Sequence, residues 1–213
     1  MNVQKTTFKI TGLIISLLLP LLLAYLATTV WHIPSGNIAK ELLMWLPFIL
    51  LFLLVKYGEK TSFADLGFRQ PVGKSLLLAL VILISIVGVM SVYSWLYFLL
   101  LKQHPPKDDL TAQLRHTSIW IKLLIAIRAG VTEETFFRAY GITRLQEVTG
   151  RKWIALALPL ILFAAGHYFS GGFAHVANAF VIGTVLTIFF VRRRNLVANI
   201  LAHVLLDSIL LLV

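Results

Sequence analysis

Val131-Thr132-Glu133-Glu134-Thr135-Phe136-Phe137-Arg138 is the stretch on which the reading of this chain turns. Two neighbouring carboxylates and an arginine sit inside a segment that otherwise reads as membrane-spanning helix. Ionisable groups in hydrocarbon are costly, so they mark function by default. Two later apolar segments carry groups able to answer them: one holds His167, the other His203 and Asp207. The expectation is that these helices converge on one polar site, and that the site performs hydrolysis.

The rest of the chain supplies the lipid setting. Of 213 residues, 59% are hydrophobic and 13% charged, and the mean hydropathy is +0.88. A soluble domain carries about twice that charged share. The chain therefore reads as an all-α, polytopic membrane protein forming one integral membrane domain. Residues 1–60 supply two N-terminal helices and residues 61–213 the functional core. A net charge of +10 would suggest nucleic acid in a soluble protein. Here the basic residues sit in short loops, so topology and anionic lipid account for them and no nucleic-acid partner is expected. The absence of cysteine excludes thiol catalysis and thiolate metal sites.

Seven spans are expected, over about 10–31, 41–55, 75–101, 118–143, 153–169, 173–191 and 195–213. The first is too long for a signal peptide and lacks a small-residue cleavage site. Pro20 should kink it. With the amino terminus inside, the cytoplasmic segments hold Lys5, Lys9, Lys56, Lys60, Arg69, Lys74, Arg144, Arg151, Lys152 and Arg192 to Arg194. The outer loops hold only Lys40, Lys102, Lys107 and Arg115. The asymmetry favours N-in and C-out. Counted along the helices, Glu133 lies roughly 16 Å from Arg144, His203 roughly 14 Å from Arg194 and His167 roughly 22 Å from Lys152. Half of a bilayer core is about 15 Å, so all three fall near mid-membrane.

Helical spacing then divides the labour. Glu134 and Arg138 are four apart and share a face, which suits an ion pair. Glu133 points about 100° away and is free to address a different neighbour. Phe163 and His167 share a face, as do His203 and Asp207. A carboxylate and a histidine can hold and deprotonate a water, and a second histidine backed by a carboxylate can steady an oxyanion. Equally, Glu133, His167 and His203 could be three ligands of a catalytic zinc with an open fourth position. Spacing does not choose between these.

The set Glu133-Glu134-x-x-x-Arg138, Phe163-x-x-x-His167 and His203-x-x-x-Asp207 resembles the three-motif signature of the CPBP (Abi) family of intramembrane proteases, named for CAAX and bacteriocin processing. Ala64-Asp65-Leu66-Gly67-Phe68-Arg69 resembles the segment that often precedes the core in bacterial members. The resemblance covers about residues 60–213. It implies an endopeptidase in which Glu133 and His167 activate water, His203 and Asp207 form the oxyanion site, and Glu134 and Arg138 brace the helix. It implies a membrane-associated peptide or protein as substrate and a bacterial plasma membrane as location. Both glutamate-dependent and metal-dependent mechanisms are attributed to the family. Two positions depart from the pattern. Asp207 stands where Asn is common, and a carboxylate donates no hydrogen bond unless protonated. Ala139 stands where Gly is common.

Blander readings stand beside these. The Glu133–Glu134 pair could be a packing cluster with Arg128 and Arg138, and His203 with Asp207 a satisfied interhelical bond. Asn199, four before His203, either bridges helices or lines the cavity. His175 reads as a loop residue. Serine, aspartyl and His-Glu-x-x-His protease arrangements are missing. A proton- or ion-coupled transporter using the same cluster, or an idle membrane scaffold, are the competing functions.

Overall fold

The computed structural model describes residues 3–68, 70–105 and 110–212. Arg69 and Lys107, both counted in the orientation above, lie outside the described residues. All regular structure among the described residues is helical. Seven long segments follow the expected ones in order: α1 (3–30), α2 (38–59), α3 (Val72–Leu101), α4 (119–149), α5 (Lys152–Gly166), α6 (Tyr168–Arg193) and α7 (Leu196–Leu212). Four of them, α1, α2, α3 and α6, are long and apolar enough to cross a membrane. At 15 and 17 residues, α5 and α7 are apolar but rise only about 22 and 26 Å. Helix α4 carries the charges.

The outward faces are apolar. Leu77, Ile84 and Leu100 are 69%, 71% and 76% exposed on α3 alone. Surface of this kind is stable only against lipid, which makes the chain an integral membrane protein.

Local deviations have visible causes. Pro20 lacks an N–H for the helical ladder, and α1 meets it with a π-helical stretch at Ile14–Leu18. Pro47 follows a turn at Trp45 in the same way. Gly171 and Gly172 leave helical geometry inside α6, the latter at φ +65°, where a side chain would be strained. His175, expected in a loop, sits in the helix beyond this break. The helix resumes directly after the two glycines, where the expected span 173–191 begins.

Two apolar clusters hold the bundle. One gathers Leu17, Val55, Phe136, Tyr140 and Phe163 from α1, α2, α4 and α5. The other gathers Ile82 and Ile86 of α3, Leu186 of α6 and Ala202 of α7. Ala64 to Phe68 packs onto the start of α7. Leu66 is buried and Leu196 N donates to Gly67 O at 3.2 Å. Helices α4 and α7 come close at Gly130. A Cβ there would lie 2.5 Å from Val204 Cγ2 and 3.1 Å from Val204 N. That close approach carries the acidic pair of α4 up against His203.

Candidate active site

Glu134 is the hub. Its Oε1 accepts from Arg138 Nη1 at 2.8 Å and lies 2.9 Å from His203 Nδ1. Its Oε2 accepts from Asn199 Nδ2 at 3.0 Å. Asn199 also donates to Leu186 O at 2.9 Å, and Arg138 Nη2 donates to Gly183 O at 3.4 Å. The Arg138 guanidinium stacks on the Phe163 ring at 4.0 Å. Glu134, Arg138, Asn199 and His203 are all buried. A buried ion pair offsets its desolvation only when further hydrogen bonds satisfy the remaining atoms, and here they do.

Glu133 differs. Its side chain keeps 20% exposure where that of Glu134 keeps none. Its Oε1 lies 3.8 Å from Arg128 Nη1 and its Oε2 3.9 Å from His203 Nε2, both beyond hydrogen-bond range. Oε2 is itself shielded yet has no hydrogen-bond partner. The two carboxylates address different neighbours, Glu134 facing Arg138 and Asn199, and Glu133 facing Arg128 and the cavity, but they also share one. Both approach His203, one beside each ring nitrogen, because the imidazole of α7 lodges between them. The helix also changes register here, with a π-helical stretch over Glu134–Ile142. Asp207 Oδ2 lies 3.6 Å from His203 Nε2, one turn along α7.

His167 sits where α5 ends. Its Nδ1 is 2.8 Å from Phe163 O, and a carbonyl only accepts, so Nδ1 carries the proton. In a neutral imidazole Nε2 then keeps its lone pair. His175 stacks edge-on to it at 4.8 Å. Two adjoining cavities, of about 150 and 190 Å³, share Glu133, His167, Arg128 and Glu41 in their walls. Each has room for several waters. The larger also takes in His203, Asp207 and His175.

Asn199, read as either bridging helices or lining the cavity, bridges Glu134 and Leu186 O. Two members of this neighbourhood were not assigned from the sequence. Glu41 had a weak signal, a lone acid opening an apolar run. His175 had none. Among the described residues no three His, Asp or Glu side chains gather closely enough to share a metal ion. Glu133, His167 and His203 are not gathered into such a group.

The fold and these distances define a class first: an integral membrane protein with a buried acid–base cluster walling an internal cavity. Residues 115–209 match the family model described as Type II CAAX prenyl endopeptidase Rce1-like. This is the CPBP family that the three motifs resemble, and it implies a protease. The matched stretch includes Glu133, Glu134, Arg138, His167, Asn199, His203 and Asp207, and leaves out α1 to α3. No curated protein and no solved structure matches the chain.

Proposed function

We propose that the protein is an intramembrane endopeptidase that hydrolyses a peptide bond of a membrane-associated protein or peptide. The observation that carries the reading is Glu133 Oε2, shielded and unpartnered at the wall of a cavity shared with His167 and His203. Native buried polar atoms are nearly always paired, so an orphaned one in a cavity marks a place for substrate or water.

In this reading a water donates to Glu133 and to the free Nε2 of His167. Glu133 takes its proton as the oxygen attacks the scissile carbonyl. His203, held through Nδ1–H by Glu134, turns Nε2 to the cavity. When protonated there, it donates to the oxyanion. Asp207 balances that charge and orients the ring, acting through His203. The proton on Glu133 then passes to the leaving nitrogen as the C–N bond breaks.

All seven helices cross the bilayer in this proposal, with the amino terminus inside. The larger cavity is bordered by Ser35 and Gly36 before α2 and by Leu110 and Leu114 before α4. Both loops are then outside, so substrate reaches the site from that leaflet.

The test is cleavage by purified protein in liposomes, against membrane-tethered peptides with and without a prenyl group. Glu133→Gln and His167→Ala should each lose about 10²- to 10⁴-fold in kcat while melting at the same temperature. Full activity in Glu133→Gln would sink the reading. Cleavage should persist with a chelator, and loss that zinc reverses would move the water onto a metal.

A further inference from the structure

Glu133 is flanked by a cation that does not grip it. Arg128, five residues earlier on α4, stops 3.8 Å from Glu133 Oε1. An Arg–carboxylate pair free to close would settle near 2.8 Å, often through two parallel bonds. What holds Arg128 back is visible: its Nε donates to Glu41 Oε2 at 2.6 Å. Glu41 is buried, lies in the first turn of α2 and is fixed there by the helix start. Negative charge is favoured at that end of a helix. Glu41 also lies outside the stretch matched by the family model.

We propose that Glu41 is a positioning residue: it draws Arg128 away from Glu133 and so keeps the carboxylate available to a water. The inference rests on Glu133 being the base. Charged and titratable groups reach this corner from every side. Lys40 and Glu41 come from α2, Arg128 from α4, His203 and Asp207 from α7, and His167 from the α5–α6 junction. Among them Arg128 is the cation one side-chain adjustment from a direct pair with Glu133. If Glu41 is removed, Glu133 at 3.8 Å is the carboxylate within ion-pair reach of Arg128, with Asp207 also in its field, and pairing with Glu133 occupies the oxygens that should accept from water.

The prediction is a rescue that no purely structural role produces. Glu41→Ala should lower kcat by about 10- to 100-fold with KM little changed, the size of effect expected from a small displacement of a reacting group. Glu41→Ala combined with Arg128→Met removes both charges and should recover at least tenfold of that loss. The carboxylate stretch of Glu133, identified by its disappearance in Glu133→Gln, supplies a readout independent of cleavage. It should shift in Glu41→Ala and return in the double variant. Wild-type kcat in Glu41→Ala, a double variant no better than the single, or an unmoved infrared band would each overturn the proposal. Undiminished cleavage by Glu133→Gln would instead remove the assignment of the base, leaving the infrared band to judge the Glu41–Arg128 contact by itself.

Discussion

Glu134 ends in the closed interior between α4, α6 and α7 with both oxygens hydrogen-bonded. Glu133, one residue earlier, ends at a cavity wall with one oxygen unpaired. The two have the same chemistry and nearly the same depth, so hydrophobicity cannot separate them. Satisfaction of their oxygens does. A carboxylate with every lone pair engaged holds structure together. One with an idle oxygen beside an imidazole is in a state to take a proton.

The sharpest way to break this contrast is to remove each charge in turn. Glu133→Gln should lower kcat by about 10²- to 10⁴-fold and leave stability unchanged. Glu134→Ala should instead cost about 3–5 kcal/mol of stability, because Arg138 is left buried without its partner. Thermal melts in detergent read this directly, and equal destabilisation of both variants would erase the distinction. A smaller effect is expected at Asn199, which joins Glu134 Oε2 to Leu186 O. Asn199→Ala leaves a carboxylate oxygen and a carbonyl short of a donor, for about 1–3 kcal/mol. A neutral result would show that water replaces it.

The smallest effect marks the boundary of the comparison, at the loop end of α4. Glu147 there meets Lys9 and Arg144, each at 2.9 Å. Burial pushes its carboxyl up, but these two cations outweigh burial and hold it below the ordinary glutamate range. A depressed folded-state pKa gives stability that is present above the unfolded value and lost as pH falls through the folded one. Glu147→Gln should therefore lower stability by less than about 1 kcal/mol at neutral pH, since the site is partly solvated. The difference from wild type should vanish in acid. A difference that persisted at low pH would assign the effect to packing.

Much of this was legible beforehand. The seven helical segments follow from the apolar runs, four of them of bilayer length, and the Glu134–Arg138 pair from its four-residue step. The motif spacing pointed to the family that residues 115–209 match. The break near Gly171 and Gly172 was legible as composition, and the helix resumes where the span 173–191 was expected, so His175 was misplaced as a loop residue. Spans were read too narrowly where helices run on past the apolar core. Helix α4 is the example, continuing through Arg144 to Thr149, where Glu59 and Glu147 pair with the arginine.

By itself, the sequence determined that this is a helical membrane protein with a few ionisable groups inside its apolar helices, because lipid admits only helices or closed barrels and penalises every charge. The four-residue step already set Glu134 with Arg138 and Glu133 apart; only the tertiary structure supplied the further partners that satisfy the one and leave the other idle. That outcome depends on partners from other helices, His203, Asn199 and Glu41, lying 66 to 92 positions from Glu133 along the chain. Periodicity reports which face a residue takes on its own helix, whereas a hydrogen bond is made or missed over tenths of an ångström between helices.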